Sequence, residues 1–116
     1  MIVVHAALRI DPDRREQALD AVEKLVERTR EEAGVIDYVG TTEVANPNVV
    51  RFVEQYEDEA ALEAHNESAH YREFEAQLPQ LLDSDRDLLD AIDVTQFAVD
   101  EAVDPNADVE ADVDRQ

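Results

Sequence analysis

Apolar and polar positions change period several times along the chain, and each change marks an element. Residues 2–9 alternate, with Ile2, Val4, Ala6 and Leu8 on one face, the period of a half-buried strand. Asp11-Pro12 predicts a helix start, the aspartate as cap and the proline in the first turn. Ala18, Leu19, Val22, Leu25, Val26 and Ala33 recur at helical spacing, and Gly34 is expected to stop that helix in a left-handed cap. Residues 35–44 and 48–57, rich in Val, Tyr, Thr and Phe, flank Asn46-Pro47-Asn48 and read as a hairpin. Asp58 is placed to cap a short helix through Ala61, Leu62 and His65. Ser68 is placed to cap a second, with Tyr71, Phe74, Leu78 and Leu81 on one face and Pro79 expected to kink or shorten it. A last alternating segment, about 91–99, predicts a fourth strand.

The order β-α-β-β-α-α-β is that of an α+β, ferredoxin-like split βαβ fold, a four-stranded antiparallel sheet with helices on one face. The other face also carries apolar residues, Val3 and Ala7 in the first strand and Val49 and Val53 in the third. A sheet with both faces partly apolar needs a second cover, and a homodimer packed sheet against sheet would supply it. No internal repeat and no domain linker interrupts residues 1–99.

Charge adds a boundary and an environment. Residues 100–116 hold seven acids and one base, with Ala and Val as their apolar residues, too little to build a core, and read as a solvated, disordered tail. At 116 residues the chain fits one domain, here 1–99, which still carries 23 acids against nine bases. A formal charge of −20 repels phosphate backbones and anionic lipid, so neither nucleic acid nor a membrane is an expected partner. Nine of the ten bases are Arg and one, Lys24, is Lys, a balance suited to a halophilic protein whose hydrated carboxylates work in molar salt. With no cysteine, neither a disulfide nor a thiolate nucleophile is available. The start MIVVHAALRIDP lacks the basic segment and apolar run of a signal peptide, so the expected location is the cytoplasm.

Candidate chemistry clusters around the third strand and the break between the short helices. Phe52, Glu54 and Tyr56 share one face, and a carboxylate on an apolar row needs a partner. His65, where the break begins, is the natural candidate, with His70 early in the next helix. The string from Phe52 through Glu54-Gln55-Tyr56, Asp58, Ala61-Leu62, His65, Ser68-Ala69-His70 and Phe74 resembles the antibiotic biosynthesis monooxygenase domain family. Glu32-Ala33-Gly34-x-x-x-Tyr38 is similar to that family's Gly and Tyr before the second strand. The resemblance covers about residues 1–99. It implies a dimeric α+β barrel with a pocket between helices and sheet, and oxidation of a quinol or polyphenol by O₂ with no metal or flavin cofactor.

On that footing His65, Glu54 and His70 are the candidate catalytic residues, a histidine base oriented by a carboxylate. Tyr38, Phe52, Tyr56, Phe74 and His5 are the candidate substrate-binding residues. For the Glu54–histidine pair a purely structural hydrogen bond is an equal reading. His5 falls on the row of Val3 and Ala7, which leaves it open between pocket and dimer interface. Two alternatives stand beside the monooxygenase: a cofactor-free isomerase of a small hydroxylated carbonyl compound, and a non-catalytic small-molecule-binding dimer.

No metal site is expected from His5, His65, His70 and Glu54, because the two helical histidines are five apart across a break rather than at i, i+4. Asp83-Ser84-Asp85-Arg86-Asp87 lacks the Gly and closing Glu of a calcium loop. Haem degradation, found in one branch of the fold, is not expected. That branch uses a first-strand Asn, a Trp near the break and a later His, and this chain has none of them.

Overall fold

The computed structural model describes residues 1–83 and 91–99. The acidic tail and most of the 83–87 carboxylate run therefore lie outside the described residues. Strand β1 (Ile2–Arg9) leads through a 3-10 turn (Pro12–Arg14) into helix α1 (Arg15–Thr29), followed by the hairpin β2 (Val35–Thr42) and β3 (Val49–Tyr56). Helices α2 (Glu59–Glu67) and α3 (Ala69–Leu81) precede strand β4 (Ile92–Ala98). The sheet order is β2-β3-β1-β4 with every pairing antiparallel, the split βαβ arrangement expected.

Local chemistry explains most boundaries. The Asp11 side chain accepts from the Asp13 N–H, but the first turn it caps is 3-10, and α1 proper begins at Arg15. Helix α1 ends at Thr29, five residues before Gly34, so the expected cap is displaced. Gly34 instead takes φ +86° in the turn that enters β2, and Ala33 is exposed. Asp58 accepts from the Ala61 N–H at 2.8 Å and starts α2. Ser68 accepts from the Tyr71 N–H and starts α3, which ends two residues beyond Pro79.

The core lies between the sheet and the helices. Ile2, Val4 and Leu8 of β1 and Val50, Phe52 and Tyr56 of β3 meet Ala18, Val22 and Leu25 of α1 and Phe74 and Leu81 of α3. Gly40 lets α1 approach β2: a β-carbon there would stand 3.0 Å from the Val22 side chain and 3.2 Å from Val26. Across the sheet, Val3, Ala7 and Val49 are buried, whereas Val53 and Phe97 remain 38% and 43% exposed. Among the described residues no helix is long and apolar enough to cross a membrane.

Candidate functional site

One rung of the sheet carries the site. Registers pair Tyr38 with Glu54, Glu54 with Val4, and Val4 with Gln96, so four strands place these side chains side by side toward the helices. All four line a cavity of about 510 Å³. The next rung adds Phe52, Ala6 and Val94, while Leu62 and Asn66 of α2 and Tyr71, Phe74 and Leu78 of α3 close the opposite side. The wall is mostly apolar, with a few polar groups converging on it, the usual make-up of a small-molecule site.

Glu54 supplies a carboxyl group to the sheet floor. It is 7% exposed, and its Oε1 accepts from the Tyr56 hydroxyl at 2.5 Å. Burial pushes the carboxyl up to about 7, and the Tyr56 bond opposes that rise. Tyr56 itself is fully buried; burial, then the neighbouring Glu54, holds its phenol far above the ordinary range and so protonated. Burial does the same to Tyr38, again reinforced by Glu54. Glu54 is thus an acceptor that exchanges a proton near neutral pH, flanked by phenols that keep theirs.

The histidines take other partners than the sequence suggested. His65 is 1% exposed, and its Nδ1 lies 2.7 Å from Glu32 Oε2. His70 Nε2 lies 2.7 Å from the same oxygen. The expected Glu54–His65 hydrogen bond is not made: Tyr56 takes the Glu54 oxygen, and Glu32 takes the histidine. Burial lowers the His65 pKa against the opposing pull of Glu32, so the ring is held neutral. Its Nε2 is buried without a hydrogen-bond partner among the described residues, and the ring sits among those of Tyr71, Tyr38 and Tyr56 at centroid distances of 5.0, 5.3 and 5.6 Å.

Of the candidate residues, Glu54, Tyr38, Phe52 and Phe74 line the cavity, Tyr56 supports Glu54 from behind, and His65 and His70 lie outside the lining. His5 does not reach it at all. It is exposed on the opposite sheet face, edge-on to Phe97 at 5.8 Å. The sequence reading missed Glu32 as the partner of both histidines, and Gln96 and Asn66 in the cavity wall. Gln96 had a signal: it is the polar residue in the row Ile92, Val94, Gln96, Ala98, the same interruption that singled out Glu54. Glu32 had only its place beside Gly34, because its partners are brought to it by tertiary packing.

Comparison with known proteins agrees with this architecture. The family described as Antibiotic biosynthesis monooxygenase matches residues 1–77. A Bacillus subtilis (strain 168) protein named "Putative monooxygenase YcnE" is 35% identical over 89 residues, covering 77% of this chain and 94% of that one. Among solved structures, Rv0793 from Mycobacterium tuberculosis superposes with a TM-score of 0.75 at 28% identity, over 88% of this chain and 98% of that one. A crystal structure of an antibiotic biosynthesis monooxygenase gives 0.76 at 24% identity, over 87% and 100% of the two chains.

Proposed function

Because the chain belongs to the antibiotic biosynthesis monooxygenase family, we propose that its cavity binds a quinol or polyphenol and that Glu54 removes the proton that starts oxidation by O₂. The observation that carries this reading is a buried carboxyl in the wall of an apolar cavity, pushed up to about 7 by that burial. A substrate hydroxyl gives its proton to Glu54. The resulting phenolate transfers one electron to O₂, and the radical pair collapses into a carbon–oxygen bond. Protonation gives a hydroperoxide, and loss of water leaves one oxygen on the ring. Quinol plus O₂ thereby becomes hydroxyquinone plus water. The amides of Gln96 and Asn66 supply donors for the anion, and the aromatic wall holds the ring. In this reading Glu54 replaces histidine as the base, and His65 and His70 support the wall.

An oxygen electrode tests it with hydroquinone and its ring-substituted relatives. The protein should raise O₂ uptake above autoxidation, and Glu54→Gln should reduce that excess by about 100-fold or more, the usual contribution of a general base. Uptake unchanged in Glu54→Gln would remove the carboxylate from the reaction. Turnover with no O₂ uptake would indicate an isomerase, since enolisation uses the same base and cavity. Binding without turnover would leave a sequestering protein.

The setting proposed is the cytoplasm of a high-salt cell, with the protein as a homodimer. Support for the dimer is the outer sheet face, where Val53 and Phe97 are exposed beside buried Val3 and Ala7. Support for the salt is the charge of −20 with nine arginines and one lysine.

A further inference from the structure

Outside the cavity, three side chains from three elements meet at one point. Glu32 comes from the turn after α1, His65 from the end of α2 and His70 from the start of α3. One oxygen and one ring nitrogen from each histidine all lie within 4.8 Å of one another. We propose that Glu32, His65 and His70 form a binding site for one first-row divalent transition ion of the zinc class.

Donor chemistry is the first argument. Two imidazole nitrogens and one carboxylate oxygen form the mixed set that suits zinc, rather than the all-oxygen set of magnesium or calcium. Both histidines address the same oxygen at 2.7 Å, Oε2. At ordinary zinc–ligand lengths, donor atoms in a tetrahedral set stand about 3.3 Å apart. An ion therefore needs the Glu32 oxygen to draw back from each of the two nitrogens by roughly half an ångström, a movement the Glu32 side chain can make.

Preorganisation is the second argument. The Ser68 hydroxyl donates to the His65 carbonyl at 2.6 Å, and its oxygen accepts from the Tyr71 N–H, which fixes the break that aims both rings. Gly34 presses its α-carbon against α2 so closely that a β-carbon there would lie 2.7 Å from that of Ala61. That contact seats the Glu32 turn beside the two helices. Spacing of five residues across a break, which disfavours a site on one helix face, here presents two ligands from successive helices.

Access and charge are the third. Glu32 and His70 side chains are 15% and 18% exposed, so an ion has an entry path and a place for water as a further ligand. The set offers one carboxyl and two imidazoles, in a protein whose net charge of −20 concentrates cations. The ion would tie the turn after α1 to both short helices, behind the tyrosine wall and not inside the cavity. The inference is independent of the reaction proposed for Glu54.

The test uses the full chain, stripped with a chelator and titrated with Zn²⁺ in molar KCl with excess Mg²⁺ to occupy surface carboxylates. One Zn²⁺ per chain should bind saturably, and Glu32→Gln and His70→Ala should each weaken binding by more than about tenfold. Co²⁺ in the unmutated protein should show the intense visible bands of low-coordinate nitrogen ligation, a readout that survives if a variant fails to fold. Affinity unchanged in both variants, a weak six-coordinate cobalt spectrum, or no saturable binding would each overturn the site.

Discussion

Glu54 and Tyr56 stand two apart on one strand face, and burial and the Tyr56 hydrogen bond act in opposite directions on the Glu54 carboxyl. Burial raises the Glu54 carboxyl to about 7, and the Tyr56 hydroxyl pulls the other way. Tyr56→Phe should therefore move the titration of Glu54 above 7, as read from the carboxyl band in infrared difference spectra against Glu54→Gln. The same shift has a stability sign. A carboxyl near 4.5 in the unfolded chain and near 7 in the fold favours the fold fully below 4.5 and loses that contribution as pH rises through 7. Glu54→Gln should thus gain on the unmutated protein between pH 5 and 8, by up to about 3 kcal/mol in urea unfolding. Strand parity alone reveals Glu54, because an acid on the row of Phe52 and Tyr56 must face the core. The partner was not legible: Tyr56 lies on the same row, whereas His65 is met by Glu32 from a distant turn.

At the scale of elements, the turns hold the site as firmly as the strands do. Gly34 has φ +86° and a neighbour at 2.7 Å where its β-carbon would be, so Gly34→Ala meets both backbone strain and a clash with Ala61. It should destabilise the domain by more than about 1 kcal/mol in urea, and adding Ala61→Gly should restore part of the loss. Removing a cap by Ser68→Ala should cost about 1 kcal/mol by the same measurement. Element order, the hairpin about Asn46-Pro47-Asn48 and both short-helix caps follow from period and turn chemistry. The end of α1 does not, because Gly34 signals a left-handed residue without saying whether it closes the helix or the turn beyond it. His5 was ambiguous for a related reason. Alternation places it on the row of Val3 and Ala7, and only the packed helices show that this row faces away from the cavity.

Over the whole molecule, charge and uncovered apolar surface govern behaviour more than any single contact. Self-repulsion at −20 is screened by salt, so the melting temperature should rise steeply with KCl, and equal stability in dilute buffer would contradict the halophilic reading. Val53 and Phe97 mark the face proposed to meet a second copy; on that proposal Phe97→Glu should shift the species in sedimentation velocity from dimer to monomer without unfolding it. In the reaction proposed, a carboxylate on the sheet floor, and not a histidine, takes the substrate proton. The pH dependence of kcat/KM for protein-catalysed O₂ uptake, with autoxidation subtracted, distinguishes the two bases. The activity should climb with a slope of one through an apparent pKa of about 7, the rise should move upward in Tyr56→Phe, and it should vanish in Glu54→Gln. An acidic limb that stays in place with full activity in Glu54→Gln would exclude Glu54 as the base.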